Sequence, residues 1–353
     1  MRTSKINQDH PQEGFTIGYH IHESQLDTLL ETWREDYTIY APKRFSGRSS
    51  DTEIVRYGEI ASANEIVFDE RSAYSFKEVL TPISQTLFYF TESQTREPEA
   101  PQKGAVIFMR SCDLHALTRL DDMYLQNGPA DIYYRRLREN IKLVLMGCSE
   151  SFDDCFCVSM GTNKSDDYDL SIDRQNDGSF LINCRDSAWA AQLDALGAEK
   201  QDVTPAFVTE NKVRVTIPDN LSHTVAESSI WNEYDSRCIA CGRCNFVCPS
   251  CTCFTMQDIF YSENGRVGER RRVWASCMVD GFTDVAGGGS YRKAHGQRMR
   301  FKVLHKVLDH KARFGHTMCV GCGRCDAICP EYISFSHAVN RLGDAMKEVN
   351  AHD

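Results

Sequence analysis

The sequence predicts two domains: an α/β domain over residues 1–225 and a cysteine-rich second domain over residues 226–353. Two observations carry this reading. In the first part, apolar strand-like runs pass straight into helical patterns; in the second, four cysteines fall into twelve residues, twice. A chain of 353 residues can bury two proper cores, and 41 % hydrophobic with 25 % charged residues is an ordinary globular balance.

The elements follow in chain order. The opening "MRTSKINQDHPQEG" lacks the apolar core of a secretory signal, and no apolar stretch is long enough to span a bilayer. A cytoplasmic protein without direct membrane insertion is therefore expected. "KGAVIFMR" reads as a buried strand that runs into "SCDLHALTRLDDMYL", a segment of helical periodicity. "NIKLVLMGCSE" repeats the pattern of apolar strand, glycine and cysteine. Ligands of α/β sheets gather beyond the carboxyl ends of strands, and that is where Cys112 and Cys148 fall. "DDCFC" adds Cys155 and Cys157, completing a set of four thiols. Asp113 and His115 lie close enough to Cys112 for either to replace a thiolate. "YDLSID", the turn "RQNDG" and "SFLINC" suggest a hairpin. "DSAWAAQLDALG" is a helix opened by an acidic cap and closed by glycine. Cys184 reads as plain core, and residues 220–237 as a linker and helix leading into the second domain.

There, "CIACGRCNFVCP" (Cys238 to Pro249) and "CVGCGRCDAICP" (Cys319 to Pro330) both read C-x2-C-x2-C-x3-C-P. This is the bacterial ferredoxin spacing for a [4Fe–4S] cluster: three close thiolates serve one cubane, and the fourth crosses to the other. One cluster is therefore assigned to Cys238, Cys241, Cys244 and Cys329, the other to Cys319, Cys322, Cys325 and Cys248. Gly242, Gly321 and Gly323 allow tight backbone whose amides can face cluster sulfur. Structural zinc is the plain alternative, but zinc modules bring thiolates as two separated C-x2-C pairs. Sixteen cysteines in a reducing compartment fit metal chemistry better than disulfides. By the same logic Cys112, Cys148, Cys155 and Cys157 are candidates for a third [4Fe–4S] cluster. Cys251, Cys253 and Cys277 are expected to pack or to shield clusters.

Between the two runs, "RKAHGQRMRFKVLHKVLDHKARFGH" reads as a helix ended by Gly315, with Met299, Val303, Val307 and Leu308 near helical spacing. Its basic residues, among them Arg298, Lys302, Lys306, Lys311 and Arg313, form a solvated face, a docking surface, or compensation for buried anionic clusters.

The net charge of −10 argues against nucleic-acid binding. No G-x-G-x-x-G follows a strand, and no Walker phosphate loop or C-x2-C-H haem motif occurs. Such a chain moves electrons for a partner and needs no catalytic residue of its own.

The pieces "RSCDLHAL", "LVLMGCSESFDDCFC", "CIACGRCNFVCPSCTCF", "RRVWASCMVDGFTDVAGG" and "CVGCGRCDAICP" together resemble the iron–sulfur subunit of anaerobic sulfite reductase, over about Lys103 to Tyr332. They are also similar to the iron–sulfur beta subunit of cytoplasmic sulfhydrogenases. The resemblance implies a mainly helical dicluster domain. It also implies a three-subunit enzyme, in which this chain relays electrons from an NADH-oxidising flavoprotein subunit to a sirohaem subunit that reduces sulfite to sulfide. The alternatives are a relay for a nickel–iron hydrogenase and a non-enzymatic iron–sulfur sensor.

Overall fold

The structure is a computed structural model that describes residues 15–47 and 53–351. The leader expectation, which rests on residues 1–14, lies outside the described residues. The first domain is built on an eight-stranded mixed sheet. Its spatial order is Glu199–Lys200, Ile17–Ile21, Phe180–Cys184, Leu170–Arg174, Ile141–Met146, Gly104–Met109, Tyr37–Ser46, Glu53–Glu59. The four strands from Leu170–Arg174 to Tyr37–Ser46 run parallel, and the flanking ones are antiparallel.

Gly104–Met109 and Ile141–Met146 end in four consecutive buried residues each. Strands covered on both faces read as unbroken apolar runs, which is why both were legible in the sequence. One face is filled by the helix Glu23–Trp33, through Leu26, Leu29 and Leu30, and by Trp33 stacked on Trp189 at 4.0 Å. The other packs on the helix Ser111–Asp121 through Leu114 and Leu117.

The expected hairpin is Leu170–Arg174 with Phe180–Cys184. The expected acidic cap is Asp186, whose carboxylate accepts from the amides of Ala188 (2.8 Å) and Trp189 (3.0 Å) to open the helix Ser187–Ala195.

Residues 226–351 hold more helix than strand, but they are not all-helical. Short helices alternate there with a long antiparallel hairpin, Phe254–Phe260 against Gly268–Trp274. The strand Phe254–Phe260 is exposed along almost its whole length, and Asp258 and Ile259 interrupt the alternation begun by Phe254 and Met256. The hairpin also pairs with Ser84–Phe90, so a four-stranded sheet spans the 225/226 boundary. The basic segment is helical: His295–Leu304 passes through a π-turn, His305–Asp309, into His310–Phe314 and stops at Gly315.

Among the described residues, no helix is long and apolar enough to cross a membrane.

Candidate iron–sulfur centres

Both ferredoxin runs start in irregular backbone and end in a single helical turn, Arg243–Phe246 and Arg324–Ala327, each entered from a left-handed glycine. This winding turns three sulfurs of each run toward one point.

A cavity is lined by Cys238, Cys241, Cys244 and Cys329, with Cys325 at its inner wall. A second is lined by Cys319, Cys322, Cys325 and Cys248, with Cys244 at its wall. The fourth cysteine of each run thus lines a cavity together with the first three of the other. Cys244, Cys325, Lys302 and Phe335 border both cavities, so the two sites are neighbours.

Among the described residues, no three cysteine sulfurs lie within 4.8 Å of one another. A single tetrahedral zinc ion, with Zn–S bonds of about 2.3 Å, needs sulfurs closer than that. The donor set therefore fits a larger, multi-iron group with several thiolates around it.

The charge around the sulfurs follows from the basic helix. Arg298, Lys302 and Lys306 recur every fourth residue beside Met299, Val303 and Val307, on the buried face, at 3–4 % exposure for each cation. Lys306 Nζ donates to Cys248 Sγ (3.3 Å) and Ser250 Oγ (3.2 Å). Burial opposes its charge, but Cys248, Cys251 and Cys319 raise its pKa well above the ordinary lysine value. Lys302 is likewise opposed by burial and raised by Cys244 and Cys325. Lys293, Lys311 and Arg313 face solvent, so the stripe divides into a solvated edge and a cationic lining. The sequence held the signal: these buried cations flank apolar residues at the same helical spacing. Burial also pushes the free Cys319 thiol up to about 12, so loading the site must displace protons.

The N-terminal four stand beside the second cavity. Cys155 and Cys157 are buried, Cys112 and Cys148 half-buried. Cys148 and Cys157 each feel Cys155, Cys157 feels Cys148, and Cys112 feels both Cys157 and Cys322. Arg71 donates to Cys155 Sγ (3.7 Å) and to the Cys322 carbonyl (2.7 Å). Asn211 Nδ2 donates to Cys157 Sγ at 3.7 Å. Of the two neighbours of Cys112, Asp113 is committed to a buried ion pair, while His115 is held through one ring nitrogen. Asp113 holds both terminal nitrogens of Arg324, at 2.7 and 3.0 Å, and His115 Nε2 bonds the Lys164 carbonyl at 2.7 Å.

Of the remaining thiols, Cys184 belongs to the α/β core. Cys277 accepts a hydrogen bond from Asn245 Nδ2 at 3.0 Å. The Cys253 thiol and then Asn245 bring its pKa down to about 6. Cys251 lies against Cys248. Sequence reasoning missed Arg71, Asn211, Asn245 and the Asp113–Arg324 pair, because each acts from a distant point in the chain.

Residues 237–333 match the 4Fe-4S dicluster domain family. The dicluster match covers both runs and the hairpin and basic helix between them. Over 341 residues the chain is 26 % identical to sulfhydrogenase 2 subunit beta of Pyrococcus furiosus, spanning 92 % of this chain and 98 % of that relative. No solved structure matches the chain.

Proposed function

We propose that this chain is the iron–sulfur electron-transfer subunit of an oxidoreductase complex of the sulfhydrogenase type. The observation that carries the reading is the pair of adjacent cysteine-lined cavities joined at Cys244 and Cys325, within the dicluster match. A bound [4Fe–4S] cluster supplies reversible one-electron exchange.

The residues of the chain do the rest. Cys238, Cys241, Cys244 and Cys329 hold one cluster, Cys248, Cys319, Cys322 and Cys325 a second, and Cys112, Cys148, Cys155 and Cys157 a third. Lys302 and Lys306 offset the negative charge of thiolate-bound clusters, while Phe156 and Phe335 keep water from the second cavity. The sites follow one another from the N-terminal set through the second cavity to the first. That last site reaches the surface, where Cys241, Ile239 and Tyr332 are exposed. Electrons pass to or from a partner at that edge.

The relative's coverage of 92 % of the chain favours a hydrogenase partner over the sirohaem subunit implied by the shorter resembling pieces. Isolation of the native complex through this chain tests it. Nickel in the complex supports the hydrogenase reading. Sirohaem absorbance without nickel replaces it with the sulfite reductase one, fed by a flavoprotein that oxidises NADH. A chain that isolates alone overturns both.

A further inference from the structure

Away from the cysteines, Asp122, His310 and His316 each bring a ligand atom to within 4.8 Å of the others. Asp122 and His310 are 4 % and 3 % exposed, and His316 is half-buried. His316 Nε2 lies 2.7 Å from Asp122 Oδ2. His310 Nδ1 lies 2.9 Å from the His316 carbonyl oxygen. A carbonyl only accepts, so Nδ1 carries the proton and, in the neutral ring, Nε2 presents a bare lone pair.

This lone pair has no hydrogen-bond partner. The atom facing it is Asp122 Oδ2, another acceptor, at 3.6 Å. Two buried acceptors aimed at each other are unfavourable unless a cation lies between them. A histidine whose Nδ1–H is held by a backbone carbonyl, with Nε2 free, is oriented as metal-bound histidines are. The backbone supports the same reading. Asp122 opens the π-turn Asp122–Gln126, and His310 directly follows the π-turn His305–Asp309. Such turns recur at functional sites, because the extra residue re-aims the side chains beside it.

We propose that Asp122 Oδ2, His310 Nε2 and His316 Nε2 bind a divalent transition-metal ion, with Zn2+ the best match to two imidazoles and a carboxylate, at a site separate from the iron–sulfur centres. Three protein ligands leave a fourth position for water. Arg119, 6 % exposed, sets an opposing charge: it donates to the Thr317 carbonyl at 3.1 Å and acts on Asp122. Affinity is therefore moderate rather than extreme. The ion ties the helix that carries Cys112 to the segment entering Cys319, and so fixes the second run against the α/β sheet.

The test uses the full chain, purified anaerobically with its clusters and equilibrated with Zn2+ buffered in the micromolar range. Zinc and iron are counted together, and the zinc edge is read by X-ray absorption. The expected result is about one zinc per chain with nitrogen and oxygen ligands only. His316→Gln, at the accessible ligand, and Asp122→Asn are expected to lose the zinc and keep the iron. The proposal is overturned by zinc content unchanged in His316→Gln, by zinc–sulfur scattering in the wild type, or by no zinc uptake at all.

Discussion

At the residue scale, Lys306 shows how a cation belongs in a buried place. A lone ammonium there would lose its proton, but the sulfurs of Cys248, Cys251 and Cys319 hold it charged. Removing that charge favours the more oxidised, less negative cluster. Lys306→Met is expected to lower the potential of the neighbouring cluster by on the order of 50 mV, and Lys306→Arg to keep it near the wild-type value. Redox titration followed by electron paramagnetic resonance reads this, and equal potentials in all three proteins would contradict the lining role. The thiolates themselves give the harsher test. Cys241→Ser or Cys322→Ser should abolish electron transfer through the assembled complex while each partner keeps its own partial reaction. Full transfer in both variants would reduce the chain to a sensor or scaffold.

At the element scale, the segment from Asp153 to Thr162 is joined to the second run through that run's backbone carbonyls. The Phe156 amide donates to the Gly321 carbonyl at 2.8 Å, and Thr162 Oγ1 donates to the Val320 carbonyl at 2.6 Å. Gly321 has φ +66°, and a β-carbon there would stand 2.6 Å from the Phe156 backbone. Gly321→Ala is expected to cost roughly 2 kcal/mol or more in denaturant unfolding and to lower cluster content, since neither backbone can yield.

The basic helix carries its own pH dependence. Burial, then Lys306, brings His305 from 6.5 down to about 4. Between those two values the unfolded chain binds a proton that the folded one refuses, so this residue makes stability fall as pH drops through that window. In His305→Gln the loss between about pH 6.5 and 4 should be shallower than in wild type, measured by urea unfolding at a series of pH values. Parallel curves would show that another group governs the window.

For the whole molecule, the two cysteine-bearing units are joined through a buried ion pair and a shared sheet. Arg324 and Asp113 are 3 % and 1 % exposed, and Arg324 also donates to the Ser72 carbonyl and hydroxyl. Arg324→Met leaves Asp113 buried without its partner. A loss of ~3–5 kcal/mol is expected, with faster proteolysis between the two units. Iron content tests the three-site arrangement directly. About twelve irons per chain are expected, falling to about eight in Cys157→Ser, whereas about eight in both proteins would leave only the ferredoxin-type pair.

The sequence by itself determined the local chemistry: which eight cysteines serve the ferredoxin pattern, the apolar strands that lead to Cys112 and Cys148, and the helix that ends at Gly315. Each of these rests on residues a few positions apart, where spacing alone fixes which groups can meet. Tertiary structure decided which face of the basic helix is buried against sulfur and which N-terminal loop lies on the second run. It also set an exposed hairpin beside a distant strand and brought Asp122 to His310 and His316. Those meetings join points from 58 to 194 residues apart, and no periodicity within a single segment encodes such a distance.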